Sequence, residues 1–225
     1  MRVLSKDDGN FPDAFRAIGK DCPNKIYCLG DISLLQRKGI VAIIGAREAD
    51  KAGVELSHEL GVRFSSNVVV SGLARGIDTA AHWGCVDAEE HTIAIVGSGL
   101  DVVYPKENAS LQQKILETGG LIVSEQPLGT KASSQTLISR LRLQMALADK
   151  VIVVECKKES GTMRAVNFAV KYNKPIYTID NAWSGNQYLI EKELAEILPS
   201  EPEYISVEQF RRILTAAIYE IYREK

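Results

Sequence analysis

Residues suited to holding an anion recur in this chain immediately after apolar runs. The clearest stretch is VVVSGLARGIDTAAH, Val68 to His82, where Ser71, Gly72 and Gly76 surround Arg75. Gly45 and Arg47 follow an earlier run, Gly97 opens Gly97-Ser98-Gly99, Lys131 lies in the loop Gln126–Gln135, and Ser160, Gly161 and Thr162 follow Lys157-Lys158-Glu159. In such turns backbone N–H groups approach an anion closely, and a following helix directs its positive end at it. Phosphate is the ligand chemistry this implies. Each turn taken singly also has a structural reading. Gly72 and Gly76 suit tight strand-to-helix packing, and Arg75 suits an ion pair with Asp78. Gly97 does not open a dinucleotide fingerprint, because Val102 stands three residues beyond Gly99.

Catalytic constellations are scarce. His58 neighbours Glu59 without an H-E-x-x-H pattern, His82 reads as a packed or capping residue, and His91 opens an apolar run. Neither a G-x-S-x-G elbow nor a G-x-x-x-x-G-K-[ST] loop occurs. The chain therefore reads as a phosphate binder and not as an enzyme, with no cofactor and no metal. Arg140 and Arg142 stand in TLISRLRLQMALAD, Thr136 to Asp149, which reads as one helix with Leu137, Leu141, Met145 and Leu147/Ala148 in the core. Two spaced arginines suit a phosphodiester backbone, since a polymer offers several charges in a row. A salt-bridged surface helix is the competing reading.

The positioning elements follow from hydrophobic pattern. Short Val/Ile-rich runs at Ile40–Gly45, Asn67–Gly72, His91–Gly97, Gly120–Glu125, Lys150–Glu155 and Pro175–Asp180 are continuous, as in strands buried on both faces. Helix-length segments separate them. One is capped by Asp50 with Val54, Leu60 and Phe64 facing inward; another carries Leu111 and Ile115 and stops at Gly119-Gly120. Alternating β and α predicts an α/β fold, an extended Rossmann-like, doubly wound and mostly parallel sheet with helices on both faces. Its ligands bind outside the carboxyl ends of the strands, where the turns above fall. Ahead of this core, a short helix near Phe11–Ile18 and a strand at Lys25–Leu29 are expected. The organisation is an N-terminal extension over 1–39, a core over 40–200 and a helix over 201–225. In that helix Ser206 and Gln209 form a capping box, and Val207, Phe210, Leu214, Ala217 and Ile221 form a stripe.

The 225 residues carry a net charge of −2, so a nucleic-acid role needs a local basic face. Cys22, Cys28, Cys85 and Cys156 form no C-x-x-C pair, and free thiols in a reducing cytoplasm are expected. No apolar run reaches membrane-spanning length.

Taken in order, these segments resemble the DprA/Smf family of DNA-processing proteins, from about Phe11 to Ile197. The resemblance rests on KIYCLGD, VAIIGAR, VVVSGLARGIDTAAH, TIAIVGSGLDVVYPKEN, GGLIVSE, SGTMRAVNFAVKYNKPIY and GNQYLI. It implies single-stranded DNA as partner, homodimerisation, loading of the RecA recombinase onto DNA taken up in transformation, and no hydrolytic activity. It places DNA contacts at Arg47, at Ser71, Gly72 and Gly76, at Arg140 and Arg142, and at Ser160, Gly161 and Thr162. The chain departs from the family pattern at Ala49-Asp50, where Pro and Ser/Thr are usual, and at Thr178-Ile179-Asp180. It departs again at Leu137–Arg142, where the usual F-P-x-R-N-R has lost its aromatic and its asparagine. Loss of a stacking aromatic is expected to weaken strand binding by about 1–3 kcal/mol per base. The winged-helix-like domain common in the family is not expected in the residues after Ile197. The alternative function is a small-molecule nucleotide sensor; the P-G-G-x-G-T-x-x-E motif of related phosphoribohydrolases is absent.

Overall fold

The apolar runs become strands because alternate residues bury opposite faces. In β3 (Val41–Ile44), Val41 and Ile43 enter one core while Ala42 and Ile44 enter the other. In β5 (Thr92–Val96), Ile93 and Ile95 face one side and Ala94 and Val96 the other. Fully burying each Ile or Val contributes roughly 1.5–3 kcal/mol, which explains the lack of polar alternation. The computed structural model describes residues 1–199, so the expected helix over 201–225 lies outside the described residues.

Seven more strands complete the sheet: β1 (Arg2–Ser5), β2 (Lys25–Gly30), β4 (Val69–Ser71), β6 (Leu121–Ser124), β7 (Lys150–Val153), β8 (Ile176–Thr178) and β9 (Glu196–Ile197). Their order is β1-β2-β6-β5-β4-β3-β7-β8-β9. Pairing is parallel from β6 through β9 and antiparallel at β1–β2 and β2–β6. The fold is thus Rossmann-like, with a mostly parallel mixed sheet. Chain order runs outward from β3 to β6 and then returns to β7 on the other side of β3. That reversal creates a switch point between β3 and β7. The edge strands β1 and β9 are absent from the sequence-based reading. Leu4 is the sole buried residue of β1, and both residues of β9 are exposed, so neither carries an apolar run.

On one face lie α1 (Asp13–Arg16), α6 (Leu141–Leu147) and α7 (Gly161–Lys171); on the other lie α2 (Lys51–Phe64), α3 (Ile77–Asp87) and α4 (Ala109–Glu117). The helix expected over 136–149 is divided in two, α5 (Ser134–Ser139) and α6, at Arg140. The helix expected at 11–18 shortens to α1, entered through Pro12. α8 (Ser184–Glu191) follows β8 and leads into β9, with Leu189 in the core. No described helix is long and apolar enough to cross a membrane.

Asp50 caps α2 as expected, its Oδ1 accepting from the Gly53 N–H at 2.9 Å. The inward face of α2 agrees with expectation at Leu60 and at Phe64, which packs against the same core, and differs at Val54. Val54 is 38% exposed and Phe64 half-buried, while Gly53, Ser57, Leu60 and Gly61 face inward. Small residues are required because α2 and α3 pack backbone to backbone. A Cβ on Gly61 would stand 2.3 Å from the Ala81 carbonyl oxygen, and one on Gly84 would stand 2.1 Å from that of His58. Gly84→Ala gains up to about 1 kcal/mol of helix propensity but forces two helix backbones apart, at roughly 1–3 kcal/mol. Urea unfolding should therefore show Gly84→Ala less stable than the wild type.

Candidate nucleic-acid interface

The turn after β4 is organised around a charge of its own. Asp78, in the first turn of α3, accepts from the N–H groups of Gly72 at 3.1 Å and Ala74 at 3.4 Å. The anion held by this glycine turn is thus an internal carboxylate. Gly76 enters α3 with φ +71°, and a Cβ there would lie 2.3 Å from the Ala46 oxygen. Only glycine combines that backbone with that approach. Ser71 is buried and donates to the Ile43 carbonyl at 2.7 Å, tying β4 to β3.

Arg140 occupies the other side of Gly72. A Cβ on Gly72 would meet Arg140 Nη2 at 2.7 Å and Asp78 Oδ2 at 2.8 Å. Nη1 of Arg140 donates to the carbonyls of Gly72 and, at 3.0 Å, Ile95, so the guanidinium joins the ends of β4 and β5 to the α5–α6 junction. Burial lowers its pKa to about 10, leaving it a cation at neutral pH, and burial raises the pKa of Asp78. His82 lies beneath them, and burial lowers its pKa to about 3, so it is neutral and packed. The arginine expected to grip a phosphate therefore braces a wall.

Arg142 is also committed internally. It donates to the Asp21 carbonyl at 2.8 Å, to the Ser139 carbonyl at 2.8 Å and to Glu125 at 2.6 Å. Arg75 pairs with Glu107, not with Asp78. The reason is geometric: Asp78 points back into the turn, and Arg75 points out of it. Lys131 is exposed in its loop, and Gly97 is buried under Leu137, 3.1 Å from where its Cβ would be; neither belongs to the cleft lining.

The cleft has a volume of about 640 Å³ and opens at the carboxyl ends of β3 and β7, the switch point. It brings together Gly45, Arg47, Arg140, Ser160, Gly161 and Thr162. The Thr162 hydroxyl donates to the Gly45 carbonyl at 2.9 Å, and the Ser160 hydroxyl caps α7 by accepting from Met163 N–H at 3.3 Å. A smaller recess of about 80 Å³, containing Arg75 and Tyr104, continues from it and shares Arg47, Ala74, Leu137 and Arg140. Exposed Arg47, Lys157 and Arg164 ring the large cleft, and the seven ion pairs among the described residues use none of them. Arg164 and Trp183 were not expected here. Arg164 lies one helical turn beyond Gly161 and so faces the same opening, a spacing legible once α7 is known. Trp183 arrives from the loop after β8, which Asn186 pins by accepting from Cys156 N–H at 2.8 Å and donating to the Val154 carbonyl at 2.9 Å. No local motif marked it.

Beside Trp183, two carboxylates meet. Glu155 accepts from the Asp50 N–H at 3.2 Å, and the Trp183 indole N–H lies 3.5 Å from Asp50 Oδ2. Burial, and then the neighbouring Asp50, raise the Glu155 pKa from 4.5 to about 7. Between those values the folded state holds a proton that the unfolded chain has released, so stability falls as pH rises from about 4.5 to about 7. Melting curves across that range should show a smaller fall for Glu155→Gln. A second comparison separates the arginines. Arg140→Ala should cost roughly 3–5 kcal/mol in urea unfolding by leaving Asp78 uncompensated, whereas Arg47→Ala should stay within about 0.5 kcal/mol.

Comparison with known proteins agrees with this architecture. The family model of DNA recombination-mediator protein A matches residues 2–209. The DNA processing protein DprA of Streptococcus pneumoniae is 34% identical over 197 residues, covering 84% of this chain and 68% of that protein. Protein Smf of Synechocystis is 32% identical over 186 residues, covering 80% of this chain and 46% of its own length, so the chain spans about half of that relative. A structure of DNA processing protein A from Helicobacter pylori, determined for its single-stranded DNA binding mode, superposes with a TM-score of 0.79 at 30% identity, covering 96% of this chain and 97% of the other. A molybdenum cofactor binding protein from Rippkaea orientalis, at 20% identity and TM-score 0.51, shares the fold alone. The chain belongs to the DNA recombination-mediator protein A family, the DprA/Smf proteins.

Proposed function

We propose that this protein binds single-stranded DNA without cleaving it, along the groove that runs from the β3/β7 switch point past Arg47 to Arg75 and Tyr104. The observation that carries the reading is the trio Arg47, Lys157 and Arg164, exposed around one cleft and unpaired among the described residues, in a chain whose net charge is −2. Uncommitted cations around an opening suit successive phosphates, and the apolar and aromatic walls between them suit unstacked bases. The single-stranded DNA binding of the Helicobacter pylori protein supports the same ligand class. Within the site, Gly45, Ser160, Gly161 and Thr162 shape the opening, and Arg140 supports it from behind.

Family membership supports a wider reading, in which a homodimer holds the strand and passes it to RecA in the cytoplasm. The four buried free thiols suit a reducing compartment. A second reading, a nucleotide sensor, is favoured by the cleft's volume, which lies within the usual range for small-ligand sites.

Fluorescence anisotropy with labelled oligonucleotides tests the main reading. Three phosphate contacts give a log K against log salt slope of about −2, and Arg47→Ala should reduce its magnitude by about 0.7 while weakening all sequences alike. No binding at low salt, or an Arg47→Ala variant indistinguishable from wild type, overturns it. Binding of a mononucleotide without oligonucleotide binding selects the sensor. RecA nucleation on the same strand, with and without the protein, tests the wider reading.

A further inference from the structure

Behind the cleft wall, three loops converge on a pair of carboxyl groups. Glu155, just beyond the end of β7, is 3% exposed, and a Cβ on Gly53 would overlap its carboxyl oxygens, so the first turn of α2 closes directly over it. Its Oε2 accepts from the Asp50 N–H at 3.2 Å, which ties the end of β7 to the loop that carries Arg47. The Asp50 side chain lies beside it and stands 3.5 Å from the Trp183 indole N–H, which adds the loop after β8. Arg47 and Trp183 line the cleft, whereas Asp50 and Glu155 do not. The other ionisable groups on these elements are engaged elsewhere or neutral. Lys51 pairs with Glu55 at 3.5 Å, Lys157 belongs to the cleft lining, and Lys158 lies 4.4 Å from the centre of the Tyr188 ring. Burial pushes the Cys156 thiol up to about 12.

We infer that Glu155 and Asp50 form a proton-operated latch: one proton shared between them holds the three loops together, and its loss parts them and weakens anion binding at the cleft. The inference rests on the anion-binding reading of that cleft. The proton resides on Glu155. Burial, and then Asp50, raise the Glu155 pKa to about 7, while the Gly53 N–H holds Asp50 below its ordinary carboxylate value. A carboxyl group donates to its neighbour only while protonated. As pH rises through about 7 the proton passes to solvent, and two like charges face each other, one of them without room for water. Separation of the loops admits water and relieves that repulsion. It also moves Arg47 from the rim and Trp183 from the wall. Glu155 is therefore a positioning residue, which touches no ligand and acts through the two side chains that do.

The experiment follows oligonucleotide anisotropy, and separately the Trp183 emission of the unliganded protein, from about pH 6 to about pH 8 at fixed salt. The emission is assigned by its loss in Trp183→Phe. Wild-type affinity should fall about ten-fold across that range, as expected when binding takes up one proton, and the emission should change with the same midpoint. Glu155→Gln still donates to Asp50 and cannot ionise, so its affinity and emission should stay constant. Asp50→Ser keeps an oxygen to cap α2 but removes the second carboxyl group, so its midpoint should move to lower pH. A purely structural Glu155 would leave the variant's profile parallel to that of wild type. Wild-type emission that is constant with pH, or a Glu155→Gln profile parallel to wild type, overturns the latch and leaves strand binding intact. A titrating emission with constant oligonucleotide affinity also overturns it. Emission that titrates through Glu155, with no oligonucleotide bound at either end of the range, upholds the latch and overturns the single-strand reading.

Discussion

Arg140 is the contact on which the geometry of the cleft depends. Its guanidinium is buried at the ends of β4 and β5, donating to the carbonyls of Gly72 and Ile95, with Asp78 across Gly72. Asp78 in turn holds the N–H groups of Gly72 and Ala74, and so sets the path of the chain from β4 into α3. One buried cation thus joins two strand ends, a helix start and the break between α5 and α6. Glycine at position 72 is a requirement of this junction, because any side chain would fall between the two charges. In a low-dielectric interior such an arrangement stands only while its members compensate one another.

That junction divides the arginines by role. Arg140 and Arg142 donate to backbone carbonyls and buried or half-buried partners, and Arg75 is paired with Glu107. Arg47 and Arg164 emerge on elements that the junction positions, the loop after β3 and the first turn of α7, and stay exposed. Arginines bonded within the protein therefore carry a rim of unpaired ones. Arg47, Lys157 and Arg164 thus gather exposed positive charge at one opening of a chain whose net charge is −2.

The strand ladder was legible because continuous Val/Ile runs have few uses other than strands covered on both faces, and the Asp50 cap because its chemistry is local. The stacking of α2 on α3 was less legible. Its determinants are absences of side chain, at Gly61 and Gly84, whereas hydrophobic pattern counts side chains present; Val54 was assigned inward on that basis and faces out. The edge strands β1 and β9 escaped notice for a related reason, since an edge with little buried surface leaves little apolar signal.

By itself the sequence determined the α/β class, the strand succession, the position of the glycine turns at strand ends and the family resemblance, all properties carried by neighbours along the chain. Which charges remain available to a ligand was decided only in three dimensions. Arg75, Arg140 and Arg47 look alike in one dimension, and their fates differ because Glu107, the Gly72 and Ile95 carbonyls, and solvent respectively lie beside them after folding. Trp183 and Gln144 reached the cleft by the same route, one from a loop after β8 and the other from the interior of α6. Hydrogen bonds and ion pairs form with whatever the topology brings within about 3 Å, and partners distant along the chain leave no mark on local sequence.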